Sequence, residues 1–442
     1  VRNRFRGGTA VSWDFETEPE FQKQLDWIEK FVHEEVEPLD YVLGSPYDVR
    51  NANRNKLVRP LQAEVRKHKL WACHLEPELG GQGYGQVKLA LMNEILGPSR
   101  FAPTVFGCQA PDTGNSEILA KYGTPDQKKK YLEPLLRNEI VSCFSMTEPQ
   151  GGADPKVFET RAELKGDNWV INGEKWFSSN ARWSSFLITM AITDPEAPQY
   201  KRLSTFVVPM DAPGINVVRN VGVGHEDEHM RGHAYIRYQD VQVPKDHLLG
   251  ERGGGFIVAQ TRLGGGRIHH AMRTIGQVRR AFDLMCERAL SRSTQGSRLA
   301  DKQMVQEKIA DSWIDLEQFR LLVLRTAWKI DKYKDYMKVR KDISAVKAQM
   351  PKVFHDVAIR ALQIHGSLGV TTEMPFVDQV LESFVMGLAD GPTEVHKITL
   401  AKQILRDYKG TEGLFPSAHI PALREAAIKK YGNQIELEVG AQ

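Results

Sequence analysis

Phe186-Leu187-Ile188-Thr189-Met190-Ala191-Ile192 is a short, continuous apolar run bounded by Trp183-Ser184-Ser185 and Thr193-Asp194-Pro195, and it reads as a buried strand. Trp169-Val170-Ile171, Thr205-Phe206-Val207-Val208 and Ala234-Tyr235-Ile236-Arg237-Tyr238 are further β-branched or aromatic runs separated by turn residues. Together they define a small β domain over 141–250. On its N-terminal side the period changes: Phe21, Leu25, Ile28, Val32 and Val36 recur at three- and four-residue steps, which places them on one helical face. Helical stretches around Leu57–His68, Val87–Leu96 and Ser116–Arg137 follow, interrupted at Leu79–Gly85 and at Gly123-Thr124-Pro125, so 12–140 reads as a helical domain. After Gly253-Gly254-Gly255 the helical period returns over 256–290, 301–331, 339–365 and 393–407, with Ile309, Trp313, Leu316, Phe319 and Val323 expected on one buried stripe. Residues 251–410 therefore read as a four-helix-bundle domain. A tail over 411–442 carries one helical segment at Ala422–Tyr431. The expected fold is mostly α with a small, barrel-like β domain between two helical ones.

The composition suits a folded enzyme and excludes little else. At about 150 residues per domain, 442 residues allow roughly three domains. Apolar residues make up 41% and charged residues 26%, far from disordered or fibrous chains. A net charge of +3 and a pI near 8.5 would suit acidic ligands, but the basic residues are scattered, which argues against a nucleic-acid partner. Lys128-Lys129-Lys130 reads as a solvated helix face. Cys73, Cys108, Cys143 and Cys286 form no C-x-x-C pair and read as buried thiols of a reducing compartment; cytoplasm, mitochondrial matrix and peroxisome all remain open. No apolar run reaches membrane-spanning length. Val1 with Arg2, Arg4 and Arg6 fits a transit stub, a linker inside a longer polypeptide or an artificial start equally well.

Three stretches carry candidate chemistry. In Leu388-Ala389-Asp390-Gly391-Pro392-Thr393-Glu394-Val395-His396-Lys397, a carboxylate sits where an apolar helix breaks at Gly-Pro before a new helix begins. It reads either as a proton abstractor or as a helix N-cap. Phe144-Ser145-Met146-Thr147-Glu148-Pro149-Gln150-Gly151-Gly152-Ala153-Asp154 places hydroxyls, amides and small glycines at the mouth of a strand; by itself it suits a ligand edge or an ordinary turn. Trp176-Phe177-Ser178-Ser179-Asn180 follows an Asn172-Gly173 turn, and Trp176 alone would pass for a core aromatic. The glycine clusters at Gly83–Gly85 and Gly222–Gly224 lack dinucleotide-fingerprint spacing.

In order and distance these stretches resemble the acyl-CoA dehydrogenase family, and the likeness extends over about residues 20 to 408. The resemblance implies FAD as cofactor. The flavin ring would meet Phe144, Met146, Thr147, Gly152 and Ala153, with Trp176 packed on it and the hydroxyl or amide of Ser178 at its N5 edge. Arg292, Thr294 and Gln303 match the segment that meets the FAD pyrophosphate, and Gln363, Gly366 and Ser367 the segment at its adenosine end; Gly391 and Glu394 complete the set. In relatives those last segments come from a neighbouring subunit, which implies a homodimer or homotetramer. Taken alone, Arg292 would be a surface residue. Ala153 stands where many relatives have a serine that bonds acyl-CoA, and Gln295 where an aromatic is usual.

Asp390-Gly391-Pro392-Thr393-Glu394 parallels the family segment that begins with the catalytic Glu. The alternative position of the base in some relatives falls in Leu263-Gly264-Gly265-Gly266-Arg267, which holds no acid. The resemblance thus implies oxidation of an acyl-CoA to its trans-2-enoyl product, with Asp390 as base, Arg267 as a helper at the substrate mouth and an electron-transfer flavoprotein as acceptor. A water-excluding site is expected to raise the Asp390 pKa. Nitroalkane oxidase-like chemistry, which also employs Asp on this fold, is the first alternative. A low-turnover flavin-binding protein is the second, although the acids at Glu436-Leu437-Glu438 argue against a DNA-binding tail. His225-Glu226-Asp227-Glu228-His229 satisfies H-E-x-x-H, but glycines precede it and a strand follows, against the helix a zinc site needs. His225, His229, Arg231 and His233 are instead expected to border the substrate cavity and to handle a polar acyl substituent.

Overall fold

The computed structural model describes residues 15–224 and 226–434, so His225, the N-terminal arginines and Glu436–Glu438 lie outside the described residues. Helices α1 (Pro19–Phe31), α2 (Ala52–Lys67), α3 (Gly85–Leu96) and α4 (Asp112–Tyr122) lead the N-terminal domain. α1 buries Phe21, Leu25, Ile28 and Phe31, as its spacing requires. α2 starts at Asn51, whose side chain accepts the Arg54 amide.

Strands β1 (Ser142–Ser145), β2 (Arg161–Lys165), β3 (Asn168–Ser179), β4 (Phe186–Ile192), β5 (Leu203–Pro209), β6 (Ile215–Val221), β7 (His233–Pro244) and β8 (Leu248–Leu249) form one eight-stranded sheet. Its order is β6-β7-β3-β2-β4-β5-β8, with β1 parallel to β4. All of β4 is buried because both of its faces are covered. Phe186 and Ile188 pack with Ile118, Leu119 and Val258 of the flanking helices, while Leu187 and Ala191 pack inside the sheet with Trp169 and Tyr238. This strand anchors the sheet to the helical body.

The C-terminal domain comprises α5 (Gly255–Ser291), α6 (Gln303–Tyr333), α7 (Arg340–His365), α8 (Phe376–Leu388) and α9 (Thr393–Leu405), followed by the exposed α10 (Ile420–Tyr431). A single core cluster joins Leu89, Met92 and Leu96 of α3 to Ile268, Met272 and Ile275 of α5 and onward to Val346, Met350 and Phe354 of α7. The Asp331 carboxylate of α6 accepts the amides of Gln86 and Val87 at 2.7 and 3.0 Å, neutralising the free first-turn donors of α3. The two helical domains thus pack as one body. The stripe expected on α6 needs correction: Leu316, Phe319 and Val323 are buried and Ile309 is partly so, but Trp313 is 55% exposed. Ser312 takes the inward position there, its hydroxyl bonded to the Lys308 carbonyl at 2.6 Å. The cysteines are all free, Cys73, Cys108 and Cys143 buried and Cys286 partly so.

Candidate active site

Asp390 lies in the turn between α8 and α9 with φ +55°, followed by Gly391 at φ +108°. A left-handed aspartate costs about 1–2 kcal/mol, so its neighbours must hold it there. They do so through backbone carbonyls. Lys347 Nζ, from α7, donates to the carbonyls of Met386 at 2.5 Å and Ala389 at 2.8 Å. Arg267 Nε, from α5, donates to the Asp390 carbonyl at 2.9 Å, and His396 Nε2 lies 3.3 Å from the same oxygen. The N-cap alternative is ruled out, because Pro392 occupies the cap of α9 and no side-chain cap bond is made.

The Asp390 carboxylate is left for other work. Its nearest basic groups are Arg262 Nη1 at 3.8 Å from Oδ1 and His270 Nε2 at 3.9 Å from Oδ2, beyond hydrogen-bond reach, and its side chain keeps 15% exposure. The glycine run of α5 makes the seat. A Cβ on Gly264 would meet the Tyr336 ring at 3.0 Å, one on Gly265 would meet Glu117 Oε2 at 2.9 Å, and one on Gly266 would meet Asp390 Oδ2 at 2.8 Å. The glycines that lack an acid are therefore what admits two carboxylates against one helix.

The expectation of a raised Asp390 pKa is not met. Burial does push it up, but the charges of His270, Arg262, Lys347 and Arg267 outweigh burial and hold the carboxyl below the ordinary range. Burial, aided by Arg273, pushes His270 itself down to about 3, so near neutrality the holding charges are Arg262, Lys347 and Arg267. Glu117 differs: burial pushes it up to about 7.

Arg262 joins Asp390 to the first motif. Its guanidinium carbon sits 4.2 Å from the centre of the Phe144 ring, and its Nε donates to Asn115 at 2.9 Å. The two flavin-type stretches also meet, since the Trp176 amide donates to the Thr147 carbonyl at 2.8 Å. β3 bulges between Lys175 and Ser178, with Phe177 at φ +53°, which releases backbone groups of Trp176 and Phe177 from the ladder. Gly152 has open space where a Cβ would stand. A strand bulge beside an indole and an exposed glycine with nothing over it suit the edge of a flat heteroaromatic ring, so these residues fit FAD. Ser178 is fully buried and pairs with Ala234 of β7, and its hydroxyl lies 2.8 Å from Ser145 Oγ.

The other predicted residues lie elsewhere. Arg292, Thr294, Gln303, Gln363, Gly366 and Ser367 are exposed at the far end of the bundle. Arg292 follows Arg267 by 25 residues along α5 and just past its end, about 37 Å of helix rise. Glu394 is exposed in the first turn of α9, and Met146 packs beside Phe158 and Met190. Ala153 and His229 are exposed. Among the described residues, 226–232 contains no helix, and His233 bonds Ser179 Oγ at 2.8 Å, so the H-E-x-x-H string does not present one helical face.

Sequence reasoning missed Lys347, Arg262, His270 and the pair Glu148–Lys175. The last is fully buried at 2.8 Å, with Lys175 also donating to the Met146 carbonyl and Glu148 accepting the Glu159 and Thr160 amides. It pins the Thr147 stretch to β3. The available signal was position: Lys347 falls beside Ile343, Val346 and Met350 in an apolar stripe, and Arg262, Gly266 and His270 recur at four-residue steps.

Comparison with known proteins agrees with this geometry. Residues 18–139, 143–241 and 253–405 match the family models described as the acyl-CoA dehydrogenase N-terminal, middle and C-terminal domains. The chain is 39% identical over 360 residues to the Mycobacterium tuberculosis protein named "Probable acyl-CoA dehydrogenase FadE2", covering 80% of this chain and 87% of that one. It is 37% identical over 413 residues to mouse "Acyl-CoA dehydrogenase family member 10", covering 91% of this chain but 38% of the relative, so it spans well under two thirds of that protein's length. A solved Mycobacterium abscessus structure, itself provisionally described as an acyl-CoA dehydrogenase, superposes with a TM-score of 0.82 at 36% identity, over 89% of this chain and 100% of that one.

Proposed function

This chain belongs to the acyl-CoA dehydrogenase family, and on that premise we propose that it oxidises an acyl-CoA thioester to the trans-2-enoyl product with Asp390 as the base. The observation that carries the reading is the Asp390 carboxylate: deep, free of hydrogen bonds within the described residues, and linked through Arg262 to Phe144. FAD, when bound, supplies the acceptor for the hydride that leaves the β-carbon. The residues that would hold it are Met146, Thr147, Gly152, Trp176 and Ser178 at the ring, and Arg292, Thr294, Gln303, Gln363, Gly366 and Ser367 at the dinucleotide.

Asp390 begins ionised near neutrality, as its lowered pKa requires. A thioester that displaces water from its remaining exposed surface raises its proton affinity just where the α-proton arrives. The Asp390 backbone amide supports the thioester oxygen as charge develops, and Arg267 steadies that backbone rather than the substrate. The span between the two flavin sets supports a homodimer or homotetramer in which a neighbouring chain supplies the far residues. An electron-transfer flavoprotein is the proposed acceptor.

The test is anaerobic titration with straight-chain acyl-CoAs from butyryl to palmitoyl while flavin absorbance is followed. The wild type should bleach, whereas Asp390→Asn should keep FAD and bleach at least about a hundredfold more slowly. Bleaching at the wild-type rate by Asp390→Asn would remove the base. Oxygen consumption with nitroalkanes and none of the acyl-CoA bleaching would favour the oxidase reading instead.

A further inference from the structure

Resting on the assignment of Asp390 as base, we propose that Lys347 is a positioning residue for the proton abstraction: its ammonium fixes the turn that carries the base. The geometry has two parts. Lys347 closes the C-terminal end of α8, where carbonyls lack intrahelical partners and the helix dipole favours a cation; it takes the carbonyls of Met386 and Ala389 with one ammonium. The second of these belongs to the residue immediately before Asp390. The peptide that enters the left-handed position is thereby clamped from α7, while Arg267 clamps the peptide that leaves it from α5. Removing either clamp lets Asp390 relax toward an ordinary φ and swing its carboxylate off the Gly266 seat.

The electrostatic part follows from burial. Lys347 is 2% exposed, and its ammonium donates to neutral carbonyls rather than to a carboxylate, so the charge it brings is not cancelled by a salt bridge. The ionisable groups facing the base are Arg262, Arg267, His270 and Arg273 from α5, Lys347 from α7 and His396 from α9, and Glu117 of α4, against the neighbouring Gly265, shares Arg262 with it. His396 is pushed down to about 4, by burial first and then by Arg267 and Lys347, so neither it nor His270 can take over Lys347's charge near neutrality. Burial lowers Lys347 itself to about 8, while Asp390 opposes the fall. It therefore remains mostly protonated at neutral pH, where the base must be ionised.

The experiment compares Lys347→Met, Lys347→Gln and Lys347→Arg with Asp390→Asn, all in the FAD-loaded 442-residue chain and with the acyl-CoA that bleaches the wild type fastest. A carboxylate held low loses activity only as pH falls through its pKa. Removing a cation should therefore move the acid limb of kcat/KM upward by about one unit in Lys347→Met and Lys347→Gln. Turnover at pH 7 should fall at least about tenfold in kcat, with less change in KM. Lys347→Arg should return the limb toward the wild-type position. Wild-type acid limbs and turnover in the Met and Gln variants, beside an inactive Asp390→Asn, would overturn the positioning role and leave the base intact. Full activity of Asp390→Asn would instead remove the premise. Loss of fold in both neutral variants, read by circular dichroism, would make Lys347 a structural residue and also overturn the proposal.

Discussion

Asp390 and Gly266 form a lock at the scale of one atom. The nearest atom to a Cβ on Gly266 is Asp390 Oδ2 at 2.8 Å, and the next is its own Cγ at 3.7 Å. The obstruction is the end of a rotatable side chain, so Gly266→Ala should leave the fold standing and displace only the carboxylate. An alanine also suits helix α5 better than glycine, by about 1 kcal/mol. Gly266→Ala is therefore expected to keep or slightly raise Tm and to retain FAD, while kcat for acyl-CoA falls by about a hundredfold, the usual cost of a base misplaced by about 1 Å. Thermal melts run beside stopped-flow flavin reduction check both halves. A variant that loses Tm and keeps kcat would show that the glycine serves packing and not the base. The acid itself was legible in the sequence from the Gly-Pro break after it. The glycines were legible only as a place without an acid, because what lies over a backbone is decided by another helix.

Among elements, α3 and α5 meet backbone to backbone. A Cβ on Gly276 would stand 2.0 Å from the Glu94 carbonyl oxygen, and one on Gly97 would stand 2.0 Å from the Arg273 carbonyl. Arg273 and Gly276 are one turn apart, and Arg320 clamps the Glu94 carboxylate at 2.9 and 3.0 Å beside the crossing. No side chain can rotate away from such contacts, so the helices must part. Gly276→Ala should destabilise by about 3 kcal/mol and lower Tm by several degrees, with the acyl-CoA rate per folded, flavin-bearing molecule little changed. An unchanged melt would mean that α5 can slide at this crossing. The long helices were legible from period alone, since apolar residues at three- and four-residue steps persist over many turns in 256–290 and 339–365. Trp313 was misread for the same reason: a period shows that a side chain faces something, and cannot distinguish the core of one chain from a face open at its surface. The Glu148–Lys175 pair escaped because Glu148 lies in the turn after β1 and Lys175 on β3, brought together only when β3 folds back beside the Thr147 stretch.

At the scale of the whole molecule, apolar surface gathers where α8 and α9 leave the bundle. Phe384 and Leu388 are 59% and 67% exposed one turn apart on α8, and Val395, Ile398 and Leu405 are 42%, 55% and 68% exposed along one face of α9. A face of this kind is unusual on a monomer, and it borders the turn that carries Asp390. If Arg292, Gln303 and Gln363 hold the far end of a flavin dinucleotide whose ring sits near Trp176, as proposed, another chain must supply them, because α5 separates the two sets by most of its length. The exposed apolar face supplies a driving force for that pairing, worth about 25 cal/mol for each Å² of apolar area removed from water. Ile398→Glu combined with Leu405→Glu places two like charges on the α9 face without touching a buried residue or either clamp on Asp390. Sedimentation should then show a species smaller than the wild type at the same concentration. FAD should be lost from that species on gel filtration, while circular dichroism stays that of a folded helical protein. Identical sedimentation of variant and wild type would exclude α9 from the interface. Dissociation with flavin fully retained would mean that one chain holds the whole cofactor, against the separation of the two residue sets along α5.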